Sequence, residues 1–362
     1  MKKKLLIVIA IVSFFVLAGI VGGLVFYNDG ISAVEKYRSK DEIEPVSFVV
    51  EPGQTTKDVI NSLYDSGLIK NKYAGYAFVK IHNKYVLQAG VYDLNTGMSL
   101  EEIMTKISSG DVVDNSISVT FVEGKRLTYY VSVIHEKFGY SEEEIYQVLN
   151  DKEYLQYLIN KYWFLTDEIL NDRLYYALEG YLSPNTYYFD KDASVKDIIE
   201  RLLDTTGIEL KKYQSEIENS KFTVHELLTL SSIVELEGGN SNDRKGVAGV
   251  FYNRLNNGWS LGSDVTTYYG AKVDMAERDL YIDEINEVNA YNTRVPQMAG
   301  KLPVGPICNP SIESIEATIE PKEHSYFYFV ADKTGKTYFT SSQAEHESKI
   351  AELKRNGLWF EY

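Results

Sequence analysis

One stretch constrains this chain more than any other: "LLIVIAIVSFFVLAGIVGGLVFY", residues 5–27, without a single charge. The hydrocarbon core of a bilayer offers backbone polar groups no water, so a spanning segment must satisfy them within a helix. Roughly 20 helical residues cross that core, and this run has 23. Lys2, Lys3 and Lys4 precede it and "NDG" follows it. The positive-inside rule puts the lysines in the cytoplasm and everything after the span outside. The alternative is a long signal peptide cut near Ala33, although cleaved signals have apolar regions of only about 7–15 residues.

The 362-residue chain is 44% apolar and 25% charged, a globular balance with room for more than one domain. A net charge of −15 argues against a nucleic-acid partner, because a phosphate backbone recruits cations. The single cysteine, Cys308, excludes an internal disulfide. It lies in "GPICNPS" without a base near it in sequence and reads as a buried thiol. The five histidines show no H-E-x-x-H or other zinc spacing. There is no G-x-S-x-G elbow, P-loop or dinucleotide fingerprint. Metal hydrolysis, serine acyl transfer and nucleotide chemistry are therefore poorly supported, and nothing calls for a cofactor or a metal.

The pattern along the chain predicts an α+β protein. Residues 1–27 form a cytoplasmic tip and transmembrane helix, and polar residues 28–44 a linker. Residues 45–112 read as a small α+β unit. "PVSFVV" is a strand, and Val59, Ile60, Leu63 and Leu68 mark a helix after a Pro-Gly turn. "AGVYDL" is a second strand, followed by a helix with Leu100, Ile103, Met104 and Ile107. Ser99 and Glu102 form its capping box. Residues 113–362 read as a larger α+β region. It opens with a strand, turn and helix, runs through several helices to about 217, and ends in a hairpin ("YFYFVAD", "KTGK", "TYFTS") and a last helix near 342–356.

The chemistry concentrates in "HELLTLSSIVELEGGN", residues 225–240. Thr223 and Glu226 make a capping box that starts a helix near Val224, and Gly238-Gly239 ends it. At about 100° per residue, Leu230, Ile233 and Val234 fall within roughly 60° of Glu237, whereas Glu235 lies about 160° away, on a more polar side. Glu237 thus ends the apolar stripe, in the last turn, where the helix dipole disfavours an anion. Desolvation and dipole both raise its pKa, and a carboxyl kept protonated is what a general acid needs. A glutamate near a helix end is more often simply solvated, so periodicity alone leaves both readings open. Nearby, "SDVTTYYG" places Asp264 in a turn-like segment, and "AYNT" supplies Tyr291 and Asn292. These are candidate substrate-positioning groups, since aromatic rings offer sugars an apolar face and a hydroxyl. Most of the 29 tyrosines serve core and surface as in any protein.

At these residues the chain resembles the MltG/YceG-like endolytic murein transglycosylases. The likeness is carried by "SSIVELEGGNSNDRKGVAGVFYNRLNNGWSLGSDVTTYYG", with "FVEGKRL", "LEGYLSPNTYYF", "AYNTR", "GKLPVGPICNPS" and "YFYFVAD" in the family's order. It extends over nearly the whole chain, and the small unit resembles the family's LysM-like subdomain. The resemblance implies cleavage of the β-1,4 bond between N-acetylmuramic acid and N-acetylglucosamine inside glycan strands. It makes Glu237, the second glutamate of "IVExE", the catalytic residue: acid first, then base, leaving a 1,6-anhydro end. It further implies a membrane-bound, extracytoplasmic enzyme working beside wall-synthesis proteins. The sequence departs from the family pattern at Leu236, where lysine is usual, at Val265, where proline often follows the aspartate, and at Asn185, where an acid is common. None of these touches Glu237.

Two other functions compete: a non-enzymatic peptidoglycan-binding scaffold, and a muramidase using Glu237 as acid and Asp264 as base. An acid on an apolar helical face disfavours the scaffold. Product mass separates the two enzymes, because an anhydro end lacks one water.

Overall fold

The computed structural model describes residues 2–36, 43, 45–112, 116–238 and 241–359, with side chains for all of these except 2–12, 241 and 242. The chain forms two compact units. One holds Met1–Val119 with Thr186–Lys191; the other holds Thr120–Asn185 with Asp192–Tyr362.

The first unit begins with α1 (Lys2–Gly30), which over Ser13–Gly30 is long and apolar enough to cross a membrane. Then come β1 (Val46–Val50), α2 (Thr56–Asp65), α3 (Lys72–Ile81), β2 (Gly90–Leu94), α4 (Leu100–Ser109) and β3 (Ser116–Phe121). β1 and β2 pair antiparallel, with Phe48 opposite Tyr92. Val59, Ile60 and Leu63 of α2, Phe78 of α3, and Leu100, Ile103, Met104 and Ile107 of α4 close over this pair as one core. Each such side chain contributes about 1.5–3 kcal/mol when fully buried. The Ser99–Glu102 capping box forms as the sequence predicts.

Two features depart from the sequence reading. α3 gave no apolar stripe, because its inward positions include Ala74 and Gly75. A Cβ at Gly75 would lie 2.8 Å from Ile60 Cγ2, so α2 and α3 approach closely there. Residues 28–36, expected to begin a linker, are held against the unit. Leu100 N–H donates to the Ile31 carbonyl at 3.0 Å, and Glu35 N–H to that of Thr96 at 2.9 Å. Gly30 abuts α3 where a Cβ would come 2.4 Å from Ala74 Cβ. Residues 37–42 and 44 of the expected linker lie outside the described residues.

The second unit contains α5 (Leu127–Phe138), α6 (Glu142–Leu149) and α7 (Lys152–Lys161). The chain then passes through β4 (Asn185–Asp190), which pairs with β3. It continues with α8 (Val195–Lys211), α9 (Gln214–Glu218), α10 (Val224–Glu237), α11 (Ser241–Asn256), α12 (Asp264–Gly270), α13 (Ile282–Asn286) and α14 (Ile312–Ile319). β5 (Tyr328–Ala331) and β6 (Thr337–Thr340) form the expected antiparallel hairpin, and α15 (Gln343–Arg355) follows.

α10 lies at the centre, with α11 and α14 packed on it. Leu230, Ile233 and Val234 share a core with Val247 and Phe251 of α11 and Ala317 of α14. The side of α10 expected to be polar is in fact buried: Leu228 is 1% and Ser231 0% exposed. Its hydroxyls return to the helix's own carbonyls, Thr229 to His225 and Ser231 to Leu227, each at 2.7 Å. A helix whose polar groups are satisfied internally can be enclosed on every face.

Candidate active site

α10 starts on its predicted capping box. Thr223 Oγ1 accepts from Glu226 N–H, and the Glu226 carboxylate accepts from Thr223 N–H. It ends at Gly238, where a Cβ would meet Arg244 Cγ at 2.7 Å. Gly239, the other expected stop residue, lies outside the described residues. The last turn presents the two glutamates to different surroundings.

Glu235 is committed. Its carboxylate pairs with Arg244 at 3.1 Å, and the side chains are 5% and 16% exposed. The other oxygen accepts from Ser311 N–H at 2.9 Å and from the Ser311 hydroxyl. Ser311 is the N-cap of α14, so Glu235 ties the end of α10 to the start of α14. That is a carboxylate placed at the positive end of a second helix.

Among the described residues Glu237 makes no such ion pair. Its Oε1 accepts from Ser263 Oγ at 2.6 Å. Burial pushes the carboxyl above the usual range, opposed by the Ser263 hydrogen bond and the positive charge of Arg254. Arg254 is itself largely enclosed. Its Nε donates to the Phe327 carbonyl at 2.8 Å, and its Nη1 to that of Leu261. Burial also lowers the Arg254 pKa, against the pull of Glu237. Ser263 is held by its backbone: its N–H donates to Thr293 Oγ1 at 3.1 Å, and Gly262 N–H donates to the Thr293 carbonyl at 3.1 Å. Among the described residues this half-buried, desolvated carboxyl has one hydroxyl donor, one nearby guanidinium and no direct ion pair, an arrangement suited to passing a proton both ways.

The three other predicted residues fall in two kinds of place. Asp264 is exposed as the first residue of α12, rather than in a turn, and pairs with Arg294. Tyr291 and Asn292 are interior, 1% and 0% exposed. Tyr291 Oη accepts from Tyr175 N–H at 3.1 Å, and its ring packs on Tyr175 and Tyr269. The Asn292 amide accepts from Thr267 Oγ1 at 2.9 Å and donates to the Ile285 and Glu287 carbonyls. Both brace the segment that carries Thr293, and through it Ser263, rather than reaching outward.

Sequence reasoning missed Ser263 and Arg254, although both lie within the stretch that carries the family likeness. It also missed Glu179, which is 2% exposed. Its carboxyl accepts from Leu127 N–H, at the start of α5, at 2.8 Å and from Tyr269 Oη at 3.0 Å. Burial raises it to about 8. Cys308 is a buried thiol as expected, donating to the Ser232 carbonyl at 3.3 Å.

Comparison with known proteins points the same way. The sequence model of the YceG-like family matches residues 48–352. A Bacillus subtilis protein named endolytic murein transglycosylase is 34% identical over 332 residues, covering 90% of this chain and 89% of its own length. A Streptococcus pneumoniae protein of the same name is 31% identical over 85% of this chain; the match spans 58% of that longer protein. The crystal structure of a yceG-like protein from Listeria monocytogenes, 31% identical, superposes with a TM-score of 0.60 over 85% of this chain and 100% of its own.

Proposed function

The chain belongs to the YceG-like family, and on that premise we propose that it is a membrane-anchored endolytic lytic transglycosylase of peptidoglycan. It cleaves the β-1,4 bond between N-acetylmuramic acid and N-acetylglucosamine within glycan strands and leaves 1,6-anhydro ends. The names of the Bacillus and Streptococcus relatives support this reading. The observation that carries it is the Glu237 carboxyl, its pKa raised by desolvation and its Oε1 held by the Ser263 hydroxyl.

The protonated Glu237 donates to the glycosidic oxygen as the C1–O bond breaks. The carboxylate left behind takes the proton of the muramic acid 6-hydroxyl as O6 bonds to C1. The acid is thereby regenerated and no water is consumed. Burial favours the neutral carboxyl before the first step; Ser263 and Arg254 favour the carboxylate after it. These opposed influences suit one residue to both roles. A two-carboxyl hydrolase would need a partner acid. Asp264 stands exposed and paired with Arg294, and we assign it to substrate positioning instead. Tyr291 and Asn292 position the site indirectly, through Thr293.

The strand–helix–helix–strand order of β1, α2, α3 and β2 supports reading residues 45–112 as a LysM-like module, with the catalytic region at 113–362. α1 supports a single-pass anchor with these regions outside the cell, beside wall-synthesis proteins. Protease added to intact protoplasts should then degrade the large domain, and its protection would overturn that topology. Digestion of purified peptidoglycan, followed by mass analysis of new ends, tests the reaction. Anhydro ends one water lighter than reducing ends are expected; ordinary hydrated ends would refute it.

A further inference from the structure

Linked to the acid through Arg254 stands a group of rings that the reaction described above does not use. Trp259 follows Gly258, which has φ +69°, at the end of α11. Its backbone is pinned on both sides: its N–H donates to the Arg254 carbonyl at 2.8 Å, and its carbonyl accepts from Gly300 N–H at 2.9 Å. The two loops meet so closely that a Cβ on Gly300 would lie 3.2 Å from Gly258 Cα. Yet the indole remains 42% exposed. A large ring on a fixed backbone that is nonetheless left open is the informative kind of apolar exposure.

The indole does not stand alone. Its centroid is 4.8 Å from that of Phe327 and 6.1 Å from that of Tyr328. Arg254 links this cluster to the acid. Its guanidinium lies 5.6 Å from the Tyr328 ring and donates to the Phe327 carbonyl. The same group donates to the carbonyl of Leu261, two residues before Ser263, and its charge acts on Glu237. One side chain therefore connects the rings, the Ser263 loop and the carboxyl.

We propose that Trp259, with Phe327 and Tyr328 behind it, is a stacking platform for a sugar ring of the glycan strand beside the scissile bond. The occupant is a pyranose, because such a ring offers an apolar C–H face to the indole and hydroxyls to its rim, and because Arg254 links the platform to a carboxyl suited to glycosidic chemistry. The proposal rests on the transglycosylase reading for the identity of its ligand. It adds a residue that holds substrate without exchanging protons.

The test uses the full-length chain carrying Glu237→Gln, so that strands bind without being cut. Purified, uncross-linked glycan strands are titrated while tryptophan fluorescence and heat are recorded. Adding Trp259→Ala should weaken binding by about tenfold, as expected for the loss of one stacked ring. Trp259→Phe should restore most of it, because a ring is retained. Trp163→Phe, which alters an exposed indole packed on Phe164, should change nothing. In the cutting enzyme, Trp259→Ala should raise KM more than it lowers kcat. Equal affinity of the Trp259→Ala chain and its parent, with both folded by thermal melt, would overturn the platform. So would a failure of the parent to bind strands, even where wild-type digests carry anhydro ends and the transglycosylase reading stands. Conversely, hydrated ends together with Trp259-dependent binding would sink the reaction and keep the platform.

Discussion

Ser263 and Glu237 lie 26 residues apart in the chain and share a hydrogen bond of 2.6 Å in the folded protein. The bond fixes one oxygen of the acid, and among the described residues no hydrogen bond engages the other. Most of the testable chemistry follows from this pair and from what encloses it.

Glu237→Gln keeps the shape and can still accept from Ser263, but has no proton to transfer. General acid–base assistance is worth about 10²–10⁴-fold, so release of anhydro ends should fall at least that far. The melting temperature should stay near that of wild type. Retention of a tenth or more of the activity would remove Glu237 from the mechanism.

Ser263→Ala removes a bond that favours the charged carboxylate, so the Glu237 pKa should rise further. A general acid works while protonated, and its rate falls as pH rises through its pKa. The alkaline limb of kcat/KM should therefore move to higher pH, with a lower plateau because the carboxyl is less well held. A limb that stays in place or moves to lower pH contradicts this assignment.

Glu235→Gln should act on stability before chemistry. It leaves Arg244 without its counter-charge and weakens the acceptor at the start of α14. Breaking a buried pair costs about 3 kcal/mol or more, which chemical denaturation would register directly. Activity well below the new melting temperature should exceed that of Glu237→Gln. The reverse ranking would make Glu235 the acid.

Asp264→Asn separates the two enzymatic readings. A hydrolase losing its base would be nearly silent. A transglycosylase losing an exposed positioning group should keep making anhydro ends, several-fold more slowly. Mass analysis of the products decides between them.

Glu179 provides a pH signature of the fold itself. Its carboxyl sits at about 8 in the folded chain, against about 4.3 when unfolded. A raised acid stabilises the fold fully at pH below its unfolded value, and that contribution is lost as pH rises through the folded value. Glu179→Gln cannot ionise and can still serve both Leu127 N–H and Tyr269 Oη. Its melting temperature should fall less between about pH 5 and about pH 8 than that of wild type. Identical slopes would mean that Glu179 is not the group responsible.

Local chemistry was legible in the sequence. The capping boxes at Thr223 and Ser99 and the extent of α10 could be read from a few adjacent residues, because caps satisfy their own helix's amides. The depth of Glu237 was legible for the same reason: it continues a stripe. Glu235 was not. Periodicity assumes one buried face, and α10 is enclosed on all of them. What admits Glu235 is Ser311, 76 residues downstream, which no helical wheel contains. Tyr291 and Asn292 were recognised as near the site but not as interior, because their partners Tyr175, Thr267 and Ile285 come from three other segments. Ser263, Arg254 and Glu179 likewise act through contacts that exist only once the chain has closed. α3 escaped because Gly75 and Ala74 make its contact by their smallness.

The seam between Gly30 and Ala74 sets how freely the first unit can move. A proximal tether that is flexible lets a domain sweep a hemisphere of radius equal to its length. Here the last turn of α1 is part of the unit's own packing, and Ile31 and Glu35 continue that grip. Such a joint makes the first unit a plinth that turns with α1 as one piece rather than swinging on a leash.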